Sequence, residues 1–231
     1  MTFSVLRSMA LFFVTLLVYE AARALQARTR QVWQNPLLLS FLVLGAGLSM
    51  TRVKMVDYQE AVRPLTWLVA PSVVALGLAL EARYDDLAAR ARLALVSLGL
   101  GAVVGASSAV LLGRVLGASR VVCASLAPKS ATTAIAAPVS ERLGGNPSLT
   151  AVVVILVGVF GALIGPRLLR AIGVRDAYAF GLAMGGAAHL VGTSRAREEG
   201  PVEEGASAAA MVVHGVLTAL AAWASVRGLV S

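Results

Sequence analysis

Lys129 lies in the run Pro128-Lys129-Ser130-Ala131-Thr132-Thr133, which sets one ammonium and three hydroxyls inside a chain otherwise built to sit in hydrocarbon. An ionisable side chain in such surroundings is costly and marks a functional site by default. Proline has a fixed φ and no N–H, so Pro128 suits the first turn of a new half-helix. The unpaired N–H groups and positive dipole end of that half-helix would favour an anion. With a helix starting near Pro128, Lys129, Thr132 and Thr133 fall at i, i+3 and i+4 and share a face. Lys129 supplies charge, the backbone supplies direction, and Ser130, Thr132 and Thr133 supply hydrogen bonds, a set that fits a small carboxylate. The alternative is that Lys129 snorkels and the hydroxyls bond to preceding carbonyls.

A second polar interruption occurs at Gly185, Gly186, His189, Gly192, Thr193, Ser194 and Arg195. His189 changes charge near physiological pH and is a candidate for proton coupling. It is equally explained as a satisfied helix-contact residue. Arg195 and Glu198, three apart, can pair with each other. Glu198 and Glu141 are the other proton-coupling candidates, although Glu141, like Glu199, Glu203 and Glu204, falls near a helix end where a solvated carboxylate is the simpler account.

The elements that must position these residues are membrane helices. The chain of 231 residues is 58% hydrophobic and 14% charged, and its mean hydropathy is +0.81, which places it among integral membrane proteins. The net charge of +8 comes mostly from arginines at the edges of apolar runs. That pattern suits lipid headgroups and topology and argues against nucleic-acid binding. One cysteine, Cys123, excludes an internal disulfide and a multi-cysteine metal site. No metal or cofactor is expected, since the chain shows no P-loop, nucleotide-binding glycine motif, HExxH or zinc spacing. Serine-nucleophile chemistry lacks a partner set, and His214 sits in the apolar last run, so an enzyme is not expected.

Apolar runs cover residues 3–22, 36–50, 65–80, 93–116, 149–172 and 206–226. The first also fits a signal peptide, but membrane sequence downstream favours a retained helix. Two of the runs are short against the about twenty residues a crossing needs. Residues 51–63 and 81–92 read as polar connections. The expectation is an all-α integral membrane protein with about six transmembrane helices and two interrupted or re-entrant half-helix segments. It forms one membrane domain over residues 1–231, with N-terminal helices in 1–92, a first repeat unit in 93–147, and a second unit with the last helix in 148–231. Arginine excess in the loops after the first, third and fifth crossings leans to both termini outside.

The repeat is visible as a shift of sixty residues. Gly101 and Gly105 fall on Gly161 and Gly165, Lys129 on His189, Thr133 on Thr193, and Gly145 on Gly205. Residues 119–145 are too few for two full crossings. If each interrupted segment is a re-entrant hairpin, the repeats are inverted and the hairpin tips meet at mid-depth; if each is a broken span, the repeats are parallel. The inverted arrangement is the transporter one and is the expectation.

At these residues the chain resembles the LrgB/CidB family. The likeness runs through Ser125, Pro128, Lys129, Ser130, Thr132, Thr133, Ser140, Glu141, Gly144, Gly145 and Thr150, then Gly181, Gly185, His189, Gly192, Thr193, Ser194, Arg195 and Glu198. It extends to Asn35-Pro36 and to the segment from Pro71. Ala134 and Ala79 stand where prolines are usual, Glu81 replaces an aromatic, and a residue is inserted around Glu203-Glu204. The resemblance implies a multi-pass protein of the bacterial cytoplasmic (inner) membrane, with a holin-like LrgA/CidA-type membrane protein as a partner. It implies either transport of small carboxylates, as in the plastid glycolate/glycerate translocator, or regulation of murein hydrolase activity and lysis without solute transport.

The expectation from residues and resemblance together is a proton-linked secondary carrier for small carboxylates such as glycolate, glycerate or pyruvate. The substrate-binding candidates are Pro128, Lys129, Ser130, Thr132, Thr133, His189, Gly192, Thr193 and Arg195. The bilayer and the carboxylate anion are the expected partners, with self-association open.

Overall fold

The computed structural model describes residues 2–29, 36–68, 71 and 88–230. Most of the apolar run 65–80 and of the connection 81–92 lies outside them, as do Arg30, Asn35, Ala79 and Glu81. The described residues form nine helices and no strand. By its internal contacts the chain divides into two compact units, Met1–Gly77 and Leu78–Ser231.

The first unit holds α1 (Thr2–Thr29), α2 (Pro36–Thr51) and α3 (Met55–Trp67). Helix α3 corrects the polar connection expected over residues 51–63. Its mixed charges hide a helix because its partners lie on α1: Tyr58 Oη is 3.1 Å from Thr15 Oγ1, Arg7 pairs with Asp57 at 3.4 Å, and Ala61 is buried. Tertiary contacts outweigh a weak local pattern here.

The second unit contains α4 (Ala91–Val115), α5 (Arg120–Leu126), α6 (Thr133–Arg142), α7 (Pro147–Ala171), α8 (Ala177–Arg197) and α9 (Pro201–Val230). Four helices among the described residues are long and apolar enough to cross a membrane: α1, α4, α7 and α9. On α4 a stripe of Ala94, Leu98, Ala102, Ala106 and Val110 is buried, while Leu95, Val96, Val103, Val104, Leu111 and Leu112 are exposed. Small residues inside and large apolar ones outside is the pattern of a helix that packs on protein and faces lipid.

Local signals set the ends. Gly117 (φ 74°) ends α4, with the Ala118 N–H donating to the Gly113 carbonyl, the closing bond of a Schellman motif. Asn146 caps α7 by accepting from the Ser148 and Leu149 N–H groups, with Pro147 next.

Both interrupted segments double back. Antiparallel to α4, α5 brings Cys123 beside Gly113, and the chain then reaches Ser130 beside Gly105, near the middle of α4. Val139 of α6 and Leu143 at its C-cap return to the cluster of Val110, Ala124 and Ala127. Thr150 Oγ1 ties that return, lying 2.7 Å from Ser140 Oγ and 3.0 Å from the Ser125 carbonyl. Helix α8 runs antiparallel to α7, with Met184 beside Gly165, Ala188 beside Gly161 and His189 beside Gly158, again near mid-helix. At His189 the backbone leaves helical geometry (φ 41°, ψ −128°). Residues 190–197 then fold back, since Gly192 abuts the Met184 carbonyl and Ala196 shares a cluster with Phe180 and Met184.

The second hairpin is anchored where it starts. The Asp176 carboxylate accepts from the Ala179 N–H at 2.8 Å and pairs with Arg90 at 3.0 Å. The Ala179 N–H, and next the Arg90 guanidinium, hold this carboxyl below its ordinary range. Because the folded value is the lower one, the stabilisation is present above the unfolded pKa of about 3.9 and is lost as pH falls through the folded value. Asp176→Asn is expected to lower the melting temperature in detergent at pH 7. Scans at descending pH should show the gap to wild type closing below about pH 4; a gap independent of pH would contradict the pairing.

Candidate functional site

The first hairpin tip is shaped by what Pro128 cannot do. Without an N–H it cannot extend the ladder of α5, and the chain makes two tight turns instead: the Lys129 N–H donates to the Leu126 carbonyl at 3.1 Å and the Ala131 N–H to the Pro128 carbonyl at 3.0 Å. Thr132 is extended (φ −65°, ψ 152°) and α6 starts at Thr133. This corrects the helix start expected near Pro128. Lys129, Thr132 and Thr133 do not share a helix face, because Lys129 lies in the tip, Thr132 occupies the N-cap position and Thr133 is the first helical residue.

Lys129 opens on a cleft of ≈ 670 Å³ bordered by α4, the first tip, the entering arm of α8, and His214 of α9. Its Nζ donates to Ser130 Oγ at 3.3 Å. Among the described residues no carboxylate pairs with it, and no carboxylate lines the cleft. Gly105 of α4 lies against this pair: a Cβ there would meet Ser130 Oγ at 3.5 Å and Lys129 Nζ at 3.9 Å, ordinary contact distances.

Of the substrate-binding candidates, Lys129 and Ser130 line this cleft, and Pro128 is buried behind them. Thr132 and Thr133 are half-buried in the tip without lining it. The second tip contributes Gly186 and Ala187 to the wall, whereas His189 turns inward. Its Nε2 donates to the Val154 carbonyl at 2.9 Å, and its own carbonyl accepts from the Thr193 hydroxyl at 3.0 Å. Thr193 Oγ1 is also 2.9 Å from Ser207 Oγ. His189, Thr193 and Ser207 are buried and form a hydrogen-bonded bracket that holds the second tip to α7 and α9. Gly192 is buried beside that bracket, where any side chain would strike the Met184 carbonyl.

Arg195 lies at the base of the second hairpin, paired with Glu199 at 2.8 Å and with Glu198 at 3.3 Å. Glu199 also pairs with Arg170 of α7, so it joins the base of the hairpin to the helix before it. That differs from the solvated end expected of Glu199. Glu204 pairs with Arg197 at 2.6 Å, and Glu141 is exposed.

His214 is the residue that sequence reasoning passed over. Nothing in its neighbourhood marks it except that it is the one ionisable side chain between Glu204 and Arg227. It lines the cleft, and its Nδ1 donates to the Leu98 carbonyl at 3.0 Å. Among the described residues no three His, Cys, Asp or Glu side chains cluster.

A model of the LrgB-like family matches residues 15–227. The uncharacterized protein YwbG of Bacillus subtilis (strain 168) is 33% identical over 91% of this chain and 93% of its own length. An uncharacterized protein of Haemophilus influenzae is 30% identical over 91% of each. YxaC, an uncharacterized protein of Bacillus subtilis, is 29% identical over 90% of each. No solved structure matches.

Close packing at the second tip makes a direct test. A Cβ on Gly158 would lie 2.5 Å from His189 Cε1, so Gly158→Ala must push the imidazole off the Val154 carbonyl. The expected cost is about 1–3 kcal/mol, read as a lowered melting temperature in detergent, whereas Gly99→Ala, which meets nothing within 4 Å, should leave it within error. Equal melting temperatures for the two variants would refute the bracket.

Proposed function

The chain belongs to the LrgB-like family, and on that footing we propose that it is a secondary transporter of small carboxylates in a bacterial cytoplasmic membrane, with uptake linked to protons. The observation that carries the proposal is Lys129: a cation without a carboxylate partner among the described residues, opening on a cleft level with the middle of the apolar helix α4. An unpaired charge at that depth is stable when an anion or water completes its shell. The cleft's lining of apolar wall, lysine and serine hydroxyls suits a carboxylate of two to four carbons better than a bulky or cationic solute.

The hairpins support the same proposal. α4 followed by α5 and α6, and α7 followed by α8, each pair a long apolar helix with a segment that doubles back at its middle. In this proposal α4 and α7 cross in opposite directions, the hairpins enter from opposite faces and the repeats are inverted. Substrate sites at mid-depth between inverted repeats, built by interrupted helices, are the common design of secondary carriers.

Labelled glycolate and pyruvate uptake into proteoliposomes under an imposed pH gradient tests the proposal. Wild-type protein should accumulate at least one of the two, a protonophore should abolish the accumulation, and Lys129→Ala should lower it about tenfold or more. Absence of uptake for all small carboxylates, or undiminished uptake in Lys129→Ala, would overturn it. Lysis phenotypes that persist in a normally inserted Lys129→Ala protein would favour a regulatory role instead.

A further inference from the structure

The proposed carboxylate cleft has a second polar wall at His214, whose role depends on the transport proposal. His214 is 4% exposed, and a carbonyl can only accept, so the bond from its Nδ1 to the Leu98 carbonyl fixes the ring hydrogen on Nδ1. Nε2 makes no hydrogen bond among the described residues, although the ring borders the cleft. In the neutral ring that nitrogen holds a lone pair and only accepts.

Helix α4 sets the spacing of the two polar groups. A Cβ on Gly101 would lie 3.4 Å from His214 Cε1, the ring carbon bonded to both nitrogens, and one on Gly105 would lie 3.9 Å from Lys129 Nζ. Four residues apart, the two glycines share one face and are separated by about one turn, ~5.4 Å. Both side chains line the one cleft, so a small ligand that places an anionic group at Lys129 can present a donor to His214. Ser97 and Ser130 also line the cleft, but hydroxyls rotate to donate or accept and do not discriminate. The Nε2 lone pair does: it matches an O–H and has no partner in a ketone oxygen.

We infer that His214 is the specificity-determining residue of the cleft. With the carboxylate on Lys129, Nε2 accepts a hydrogen bond from a hydroxyl on the adjacent carbon, so the site prefers 2-hydroxy carboxylates to 2-oxo carboxylates of the same skeleton. A buried acceptor built for a donor discriminates against a ligand that leaves it unpaired.

Lactate and pyruvate differ at that one group and serve as probes, with the full-length protein in proteoliposomes. Wild type should take up lactate at a concentration about tenfold or more below that needed for pyruvate. His214→Phe removes the lone pair at similar volume, and the ratio should fall to about one. If His214→Phe does not insert, the wild-type ratio alone decides: equal handling of the probes, or a preference for pyruvate, overturns the inference. A lactate preference that persists in His214→Phe overturns it as well. Uptake of both probes that depends on Lys129 but shows no preference leaves the carboxylate proposal standing and removes only the role of His214, whereas no uptake of either probe refutes the transport proposal itself.

Discussion

The structure depends on reversing the backbone twice at the middle of apolar helices. In hydrocarbon an unpaired N–H or carbonyl costs several kcal/mol, so irregular backbone survives only where protein or a polar cavity surrounds it. Both reversals meet that condition by different means. The first is walled in by small side chains: Ala124, Ala127, Pro128 and Ala131 are fully buried, and the tip closes two tight turns on itself. The second uses strain. His189 at φ 41° is in a region that L-residues avoid, at a cost of about 1–3 kcal/mol. That cost is offset by the bond to the Val154 carbonyl and by Thr193, which takes up the freed His189 carbonyl.

Close packing arises from the same constraint. A hairpin of two helical arms fits beside a full helix only if backbones approach closely, which is why Gly158, Gly161 and Gly165 of α7 face His189, Ala188 and Met184. In a bilayer, association between helices comes from such contact and from internal hydrogen bonds, because lipid offers apolar side chains no worse an environment. The exposed leucines and valines of α4 and α7 are therefore consistent with a lipid-facing surface.

What was legible in the sequence is what local chemistry dictates. Asn146-Pro147 announced the start of α7, and the two interruptions announced themselves as polar residues and glycines in apolar surroundings. The lysine at the first of them lines a cleft. What was not legible depends on partners far along the chain. Helix α3 looks like a loop until Asp57, Tyr58 and Ala61 are seen against α1. The start of α6 at Thr133 rather than Pro128 results from the turns that Leu126 and Pro128 close. The inward orientation of His189 and Thr193 needs Val154 and Ser207, 35 and 14 residues away. His214 is a lone polar residue in an apolar helix until Leu98, 116 residues before it, supplies its bond.

The two tips, which the sixty-residue shift sets against each other, are unequal in place, and their side chains give the reason. A neutral imidazole has a single N–H donor, and the Val154 carbonyl takes it up, which draws His189 into the packing. A lysine ammonium has three donors and a full charge; Ser130 takes one donor, and no carboxylate pairs with it among the described residues. The Lys129 tip borders the cleft instead. The glycines beside the tips differ likewise: a Cβ on Gly161 or Gly165 would strike Ala188 or Met184 at under 3 Å, whereas one on Gly101 or Gly105 would meet His214 or Ser130 at ordinary contact distance. Two hairpins of like design thus end differently: one tip is closed on its histidine, and the other borders the cleft with its lysine.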